Sequence, residues 1–318
     1  MAKFIVTGAA GFIGRNLVAG LNARGETDII LVDDLGTSEK WKNLIGLSYT
    51  DILSVDDFIG LVMMGEMEPP ETVFHLGACS ATTEKDADYL LKNNYSYTRA
   101  LCEWCLDNEV RFIYASSAAT YGDGELGYSD ADVDTPKYSP LNMYGYSKHM
   151  FDLIALREGW FDRIVGLKYF NVYGPYEDHK ADMRSVPYKA HAQILETGEL
   201  GLFKSYKPEY EDGCQKRDFV YVGDAVDVSL FFHENPFASG LFNCGTGISR
   251  TWLDLGKAVF SAMGKEPNIK FVEMPDVLQG KYQYFTQADG AKLAATGYDK
   301  PFTSLEDGVK QTVDYLQS

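Results

Sequence analysis

Short apolar runs punctuate the first half of the chain. Residues 3–7, 28–33, 72–76, 111–115 and 164–169 are rich in β-branched and aromatic side chains, each of a strand's length of about five residues. Longer stretches between them repeat apolar residues at three- and four-residue spacing, as in 13–24 and 89–108, and predict helices. Strands alternating with helices predict an α/β fold, a Rossmann-like doubly wound parallel sheet with helices on both faces. After residue 170 the pattern changes to loops rich in Pro, Tyr and charge. A helical stretch at 185–197 and short apolar runs at 201–203 and 219–222 interrupt them, and helical signals return from 250 to 318. The expected organisation is a large domain of residues 1–170, to which 218–248 returns, and a smaller mixed α/β part built from 171–217 and 249–318. No repeat or flexible linker divides the two, so they should share one cleft.

Composition narrows what can enter that cleft. The 318 residues are 45% hydrophobic, enough for a full core, and 46 acidic against 29 basic side chains give a net charge of -17. Such a field repels a nucleic-acid backbone and an anionic membrane surface, so neither is an expected partner. An anionic small molecule would need local donors, such as a helix N-terminus or a few placed cations. No charged-then-apolar leader opens the sequence and no run of about 18 apolar residues follows, which leads us to expect a soluble, cytoplasmic protein. The five cysteines are irregularly spaced, and Cys102-Glu-Trp-Cys105 lacks the second ligand pair that zinc requires. These thiols are expected to be reduced and to pack a helix, with no metal.

The turn Thr7-Gly8-Ala9-Ala10-Gly11-Phe12-Ile13-Gly14 joins the first strand to the first helix. Glycines there allow a tight bend, close approach of a pyrophosphate to backbone N–H groups, and close helix–strand packing. An acidic pair, Asp33-Asp34, ends the second strand where a dinucleotide ribose would lie. A carboxylate at that place favours a free 2′-hydroxyl, as in NAD. Lys40 and Lys42 are near enough in sequence to favour a 2′-phosphate, as in NADP, or are plain surface charges.

A second constellation is Tyr144-Gly145-Tyr146-Ser147-Lys148, with Ser116-Ser117 upstream at the end of a strand. Tyr144 and Lys148 are four apart, so they share a helix face. A free phenol has a pKa of about 10, and fixed positive charge beside it lowers that value and fits it for acid–base work. A Ser117 hydroxyl would hold a sugar oxygen as its proton leaves.

Longer runs carry a family likeness. TGAAGFIG at 7–14, Tyr114-Ala-Ser-Ser-Ala-Ala-Thr-Tyr-Gly122, the YGYSK run and Arg217-Asp-Phe-Val-Tyr-Val-Gly-Asp224 resemble the extended short-chain dehydrogenase/reductases, the NAD-dependent epimerase/dehydratase family. Gly77-Ala-Cys-Ser80 with Thr82-Thr83-Glu84, Lys168-Tyr-Phe-Asn-Val-Tyr-Gly-Pro175, His179-Lys180 and the run 280–289 are similar, within that family, to the ADP-heptose 6-epimerases. The resemblance implies an isomerase that inverts C6 of an ADP-heptose through a transient 6-keto sugar, for lipopolysaccharide core heptose supply. It implies NADP as the cofactor, with NAD possible, a nucleotide-sugar substrate, and a homo-oligomer, often a pentamer. Tyr144 would be one catalytic acid/base and Lys180 a second on the opposite face of the sugar, with Ser117 and Lys148 assisting. Gly8, Gly11, Phe12, Ile13, Gly14, Asp33, Asp34, Lys40, Leu76, Gly77, Ala78, Cys79, Ser80, Asn94, Lys148, Val172 and Lys180 would hold the cofactor. Ser117, Asn171, Leu202, Phe203, Arg217 and Tyr282 would face the nucleotide-sugar. Arg217 suits a diphosphate, since its planar fork can grip two oxygens. Its alternative is a salt bridge to Asp218 or Asp224.

This chain also departs from the pattern. Ala181-Asp182 stands where small residues are usual, Lys189 where a histidine is, Val55 where a lysine would assist a 2′-phosphate, and the loop 204–215 is longer and more charged. Competing readings are a UDP-hexose 4-epimerase, which shares the Ser-Tyr-Lys set, a dehydratase, and a non-catalytic dinucleotide sensor. A dehydratase needs a carboxylate after Ser117, where this chain has Ala118-Ala119-Thr120. A sensor would lack the tyrosine or the lysine.

Overall fold

The computed structural model describes residues 2–275 and 282–318, so Gly280 and Lys281 of the run noted above lie outside the described residues. In chain order the first half runs β1 (Phe4–Thr7), α1 (Phe12–Ala23), β2 (Ile29–Val32), β3 (Asp51–Leu53), α2 (Val55–Met64), β4 (Thr72–His75), α3 (Ala87–Leu90), α4 (Tyr97–Asp107), β5 (Arg111–Ser117), α5 (Met143–Arg157) and β6 (Val165–Tyr169). The second half adds β7 (Asn171–Tyr173), α6 (Val186–Thr197), β8 (Leu200–Phe203), β9 (Lys216–Tyr221), α7 (Val222–Glu234), β10 (Gly240–Cys244), β11 (Ser249–Thr251), α8 (Trp252–Ala262), β12 (Ile269–Val272), α9 (Ala291–Ala295) and α10 (Leu305–Gln317).

Seven strands pair in the order β10-β6-β5-β4-β1-β2-β3, all parallel. Alternate residues of each strand feed two cores. Phe4, Val6, Leu31, Phe74, Ile113 and Leu167 pack with Leu17, Val18 and Leu21 of α1 and with Val226 and Leu230 of α7. Ile5, Val73, Phe112 and Tyr114 pack on the other face with Phe58 of α2, Leu101, Cys102 and Cys105 of α4, and Phe151 and Ile154 of α5. Burial on both faces is why these strands read as continuous apolar runs. Cys102 and Cys105 are free, buried thiols, and no cluster of metal-ligating side chains occurs among the described residues. No helix among them is long and apolar enough to cross a membrane.

A smaller body sits over the strand ends. It holds a three-stranded sheet, β11-β9-β7, and the parallel pair β12-β8, around a third core of Ile194, Leu200, Leu202, Leu255, Val259, Leu305, Val309 and Val313. Of the stretch 218–248, α7 and β10 join the large sheet, while residues 218–221 belong to β9 of the small one. α9, late in the chain, packs back on β10.

One helix differs from expectation. The periodic stretch 89–108 is broken into α3, a π-helical turn at Leu91–Ser96, and α4. A π-turn takes one extra residue, which shifts the phase of the side chains that follow it.

His75 ends β4 as a buried knot between these elements. Its ring hydrogen-bonds Thr7 Oγ1 at 2.7 Å and Thr98 Oγ1 at 2.8 Å and stacks on Tyr97 and Phe112. Thr7 Oγ1 in turn accepts from the Gly77 N–H. Burial, helped by the charge of Lys148, pushes the imidazole from 6.5 down to about 3, so it stays neutral in the folded chain. An unfolded chain takes up that proton below pH 6.5 while the folded chain refuses it. Between pH 6.5 and about 3, this residue should therefore remove up to about 1.4 kcal/mol of stability per pH unit. We predict that His75→Gln, which cannot titrate, is less stable at neutral pH but loses less stability across that window. Urea-unfolding midpoints at several pH values check this, and a slope equal to the wild type's would refute it.

Candidate functional site

The strand order reverses between β1 and β4, and the cleft opens there, beyond the carboxyl ends of the strands. Its volume is ≈ 690 Å³. At one end the 8–14 turn folds on itself, with the Gly8 N–H donating to Val32 O and the Gly11 N–H to Gly8 O. α1 begins at Phe12 with no side-chain cap, so its first-turn amides lie uncapped at the cleft. A Cβ on Gly14 would collide with the Gly8 carbonyl, so only glycine lets helix and turn close this tightly.

Asp33, buried at the tip of β2, accepts the Ala10 N–H at 2.8 Å and the ammonium of Lys40. Asp34 points outward and accepts the Val55 N–H at 3.1 Å. Lys42 is a surface charge paired with Glu39, whereas Lys40 reaches into the cleft.

The other end is built from β5 and α5. Asn142 caps α5 by accepting the Gly145 N–H at 2.8 Å, which sets the helix start beside Ser117. Gly145 makes that approach possible, since a Cβ there would lie 2.8 Å from Ala119 O. Burial pushes the Tyr144 phenol up, and a hydrogen bond from Ser117 pulls it back down. Lys148 is buried and donates to the Ala115 carbonyl at 2.8 Å; burial lowers its pKa to about 8 against the opposing pull of Asp152. Lys180 enters from the loop after β7, 4.8 Å above the Phe12 ring and 3.0 Å from Glu177 Oε2. Next to it, His179 Nδ1 accepts a 3.0 Å bond from the Asn43 side-chain amide, and burial with the charges of Lys40 and Lys180 holds it down to about 4. A phenol, a hydroxyl and two amines in one cleft, beside an uncapped helix start and a ribose-side carboxylate, can bind a dinucleotide and move protons beside it.

Comparison with known proteins agrees with this geometry. Residues 4–245 match the NAD dependent epimerase/dehydratase family. The chain belongs to that family. It is 55% identical over 311 residues, 98% of this chain and 96% of the relative, to an ADP-L-glycero-D-manno-heptose-6-epimerase of Nitratidesulfovibrio vulgaris. It resembles the crystal structure of the Helicobacter pylori ADP-L-glycero-D-manno-heptose-6-epimerase, with a TM-score of 0.83 and 26% identity over 99% of this chain and 96% of that one. A Thermus thermophilus UDP-glucose 4-epimerase in complex with NAD is similar at a TM-score of 0.77 and 27% identity, over 99% and 98% of the two chains. Members of the epimerase/dehydratase family are nicotinamide-dependent, and this chain is accordingly an isomerase of the nicotinamide-dependent nucleotide-sugar epimerases.

In this member the cleft gathers most of the expected residues. Gly8, Gly11, Phe12, Ile13, Gly14, Asp33, Asp34, Lys40, Leu76, Gly77, Ala78, Cys79, Ser80, Ser117, Tyr144, Lys148, Val172 and Lys180 all line it. Asn94 does not. It is fully buried, bonded to both the N–H and the carbonyl of Cys79 and to Ser147 Oγ, and Asn93 lines the cleft instead. Both residues lie within the π-turn. The Leu202 side chain is buried in the core of the small body, among Leu200, Leu255 and Val259, and lies outside the cleft lining. Phe203 packs edge-on against Tyr282 outside the cleft lining, and Asn171 is exposed on β7. Arg217 is buried between Tyr282 and Trp252, 5.0 and 5.6 Å from their ring centres, and donates to Lys216 O. Among the described residues it forms no ion pair. Asp218 is occupied by Thr246, Gly247 and Ala288, and Asp224 by Thr303. Tyr89, Asn93, His179 and Met183 line the cleft without having been singled out as site residues. Only His179 had a signal, its place in the His179-Lys180 pair.

We predict that Gly14→Ala strains the 8–14 turn by about 1–3 kcal/mol and weakens dinucleotide binding by roughly 10- to 100-fold. Fluorescence titration with reduced dinucleotide checks this, with unchanged affinity as the refuting result.

Proposed function

We propose that the chain converts ADP-D-glycero-D-manno-heptose to ADP-L-glycero-D-manno-heptose by oxidising C6 to a ketone and reducing it on the other face. The observation that carries this reading is the placement of Tyr144 and Lys180 in one cleft, on separate elements, in a chain so like a heptose epimerase along its whole length. A nicotinamide dinucleotide held on the 8–14 turn would supply a reversible hydride acceptor beside C6. Tyr144 takes the hydroxyl proton, Ser117 holds the sugar oxygen, and Lys148 anchors the cofactor ribose. Lys180 handles the proton when the sugar presents its other face, so one base need not serve both. Arg217, a buried guanidinium stacked on aromatic rings, holds the diphosphate of the substrate, with Tyr282, Phe203 and Asn171 beside it.

The cofactor form follows from charge at the β2 tip. Lys40 is already engaged by Asp33, Asp34 stays uncompensated, and Val55 offers only a backbone N–H. A 2′-phosphate would meet net negative charge there, so we assign NAD over the NADP that the resemblance implies. Self-association into a homo-oligomer is part of the same reading.

Purified protein incubated with either C6 epimer should yield both on chromatographic separation, with no net consumption of dinucleotide. Turnover of UDP-galactose instead would sink the assignment to heptose. Tyr144→Phe and Lys180→Ala should each slow epimerisation by roughly 10²- to 10⁴-fold while leaving the dinucleotide bound. A normally active Lys180→Ala would refute the two-base reading. Denaturation should release NAD, and Asp34→Asn should raise the affinity for NADP relative to NAD by about tenfold. Release of NADP from the wild type would overturn that assignment.

A further inference from the structure

Glu177 carries none of the roles above, yet the loop that bears Lys180 is built around it. Its side chain is fully buried, with Oε2 3.0 Å from Lys180 Nζ and 2.8 Å from the Ser185 N–H. Its own N–H donates to the hydroxyl of Tyr188 on α6 at 3.0 Å. Ser185 is the N-cap of α6, so the carboxylate sits at the positive end of a 12-residue helix. The other oxygen, Oε1, is buried and has no hydrogen-bond partner among the described residues. Around this group the chain adopts two conformations that side-chain-bearing residues rarely take, Tyr176 at φ 75° and Ala181 at φ 45°. A buried carboxylate is costly unless paired, and such backbone strain persists only where the surroundings over-determine it. Both costs fall on the six-residue segment 176–181 that delivers Lys180 to the cleft.

We infer that Glu177 is the positioning residue of the second base: its carboxylate holds the Lys180 ammonium at the cleft wall, charged and aimed, ready to give its proton to the sugar oxygen. The inference rests on the reading of Lys180 as the second acid/base. As hydride adds to the keto carbon, a proton leaves Nζ for the oxygen and a neutral amine remains. In the opposite direction that amine takes the hydroxyl proton and returns to Glu177 as an ammonium; after a one-way turnover the proton kept by Tyr144 and the one given up by Lys180 are reset through exchange with solvent, so the enzyme's net proton count is unchanged. Glu177 itself stays a carboxylate throughout.

The test is a double-mutant cycle on the full-length protein. Glu177→Gln should lower kcat by roughly 10- to 100-fold with KM within about twofold, and Glu177→Asp should recover part of the loss. In a Lys180→Ala background, Glu177→Gln should cost nothing further, because its effect passes through the lysine. Independently of turnover, Lys180 in Glu177→Gln should be acylated several-fold faster at neutral pH by an amine-reactive reagent, read by peptide mass spectrometry. Glu177→Met, whose side chain brings no polar atom of its own into the buried site, carries the same cycle if Gln is not tolerated there. Wild-type kcat in Glu177→Gln, or a loss as large in the Lys180→Ala background as in the wild type, overturns the inference while the two-base reading stands. Normal turnover by Lys180→Ala removes both.

Discussion

Asp152 is a fully buried carboxylate on α5, one turn beyond Lys148. It accepts from Tyr114 Oη at 2.7 Å and Ser116 Oγ at 2.8 Å on β5, and Lys168 Nζ of β6 lies 3.6 Å away. Lys168 donates to Thr120 Oγ1 at 2.7 Å, and Thr120 donates to the Ser117 carbonyl at 2.7 Å. One buried charge thus binds two strand ends, the turn after Ser117 and the helix that carries Tyr144 and Lys148. Breaking such a pair from one side costs about 3–5 kcal/mol, because the surviving charge is left uncompensated. The geometry of the proton-transfer end therefore has little freedom, and the cofactor end inherits that rigidity through the sheet.

A second chain of bonds links those ends. The Asn94 carbonyl accepts from Thr98, Thr98 bonds His75, His75 bonds Thr7, and Thr7 accepts the Gly77 N–H. The glycine turn after β1 and the 76–80 segment after β4 are set against each other at the topological switch point. Ser147 of α5 joins through Asn94. All the polar groups involved are satisfied within the network, which is the condition under which buried polar chains make a core specific.

Five of the seven strands of the large sheet were legible in the sequence because they are buried on both faces and read as apolar runs, whereas the short, part-exposed β3 and the late β10 were not. The small body was not either, since β7 and β11 are three-residue, part-exposed strands that pair with β9 in opposite directions, and periodicity is weak over three to six residues. The same distinction divides the site. Gly14, Asp33, Tyr144 and Lys148 sit at fixed offsets from strong elements, and spacing alone places them. The burial of Asn94 was not legible because a π-turn leaves no mark on hydrophobic periodicity, nor that of Leu202 because a residue alternating on a two-stranded ribbon can face either side. The pairing of Lys40 with Asp33 and of Lys180 with Glu177 depends on side-chain direction within loops, which sequence spacing does not encode.

The net charge of -17 sharpens what the cleft must do. An anionic nucleotide-sugar and an anionic dinucleotide must enter one acidic molecule, so attraction has to be local and short-ranged, within the Debye length of about 8 Å at physiological salt. Each cation available is placed for one task. Lys40 is spent on Asp33 and Lys180 on Glu177, while Lys148, bonded to the Ala115 carbonyl, and the buried Arg217, bonded to the Lys216 carbonyl, have no ion-pair partner among the described residues. Stacking on Tyr282 and Trp252 repays part of the desolvation of Arg217 without neutralising it. A guanidinium kept in that condition gains most from a ligand that brings its own negative charge, which is why the diphosphate, more than the sugar, should dominate the affinity for substrate.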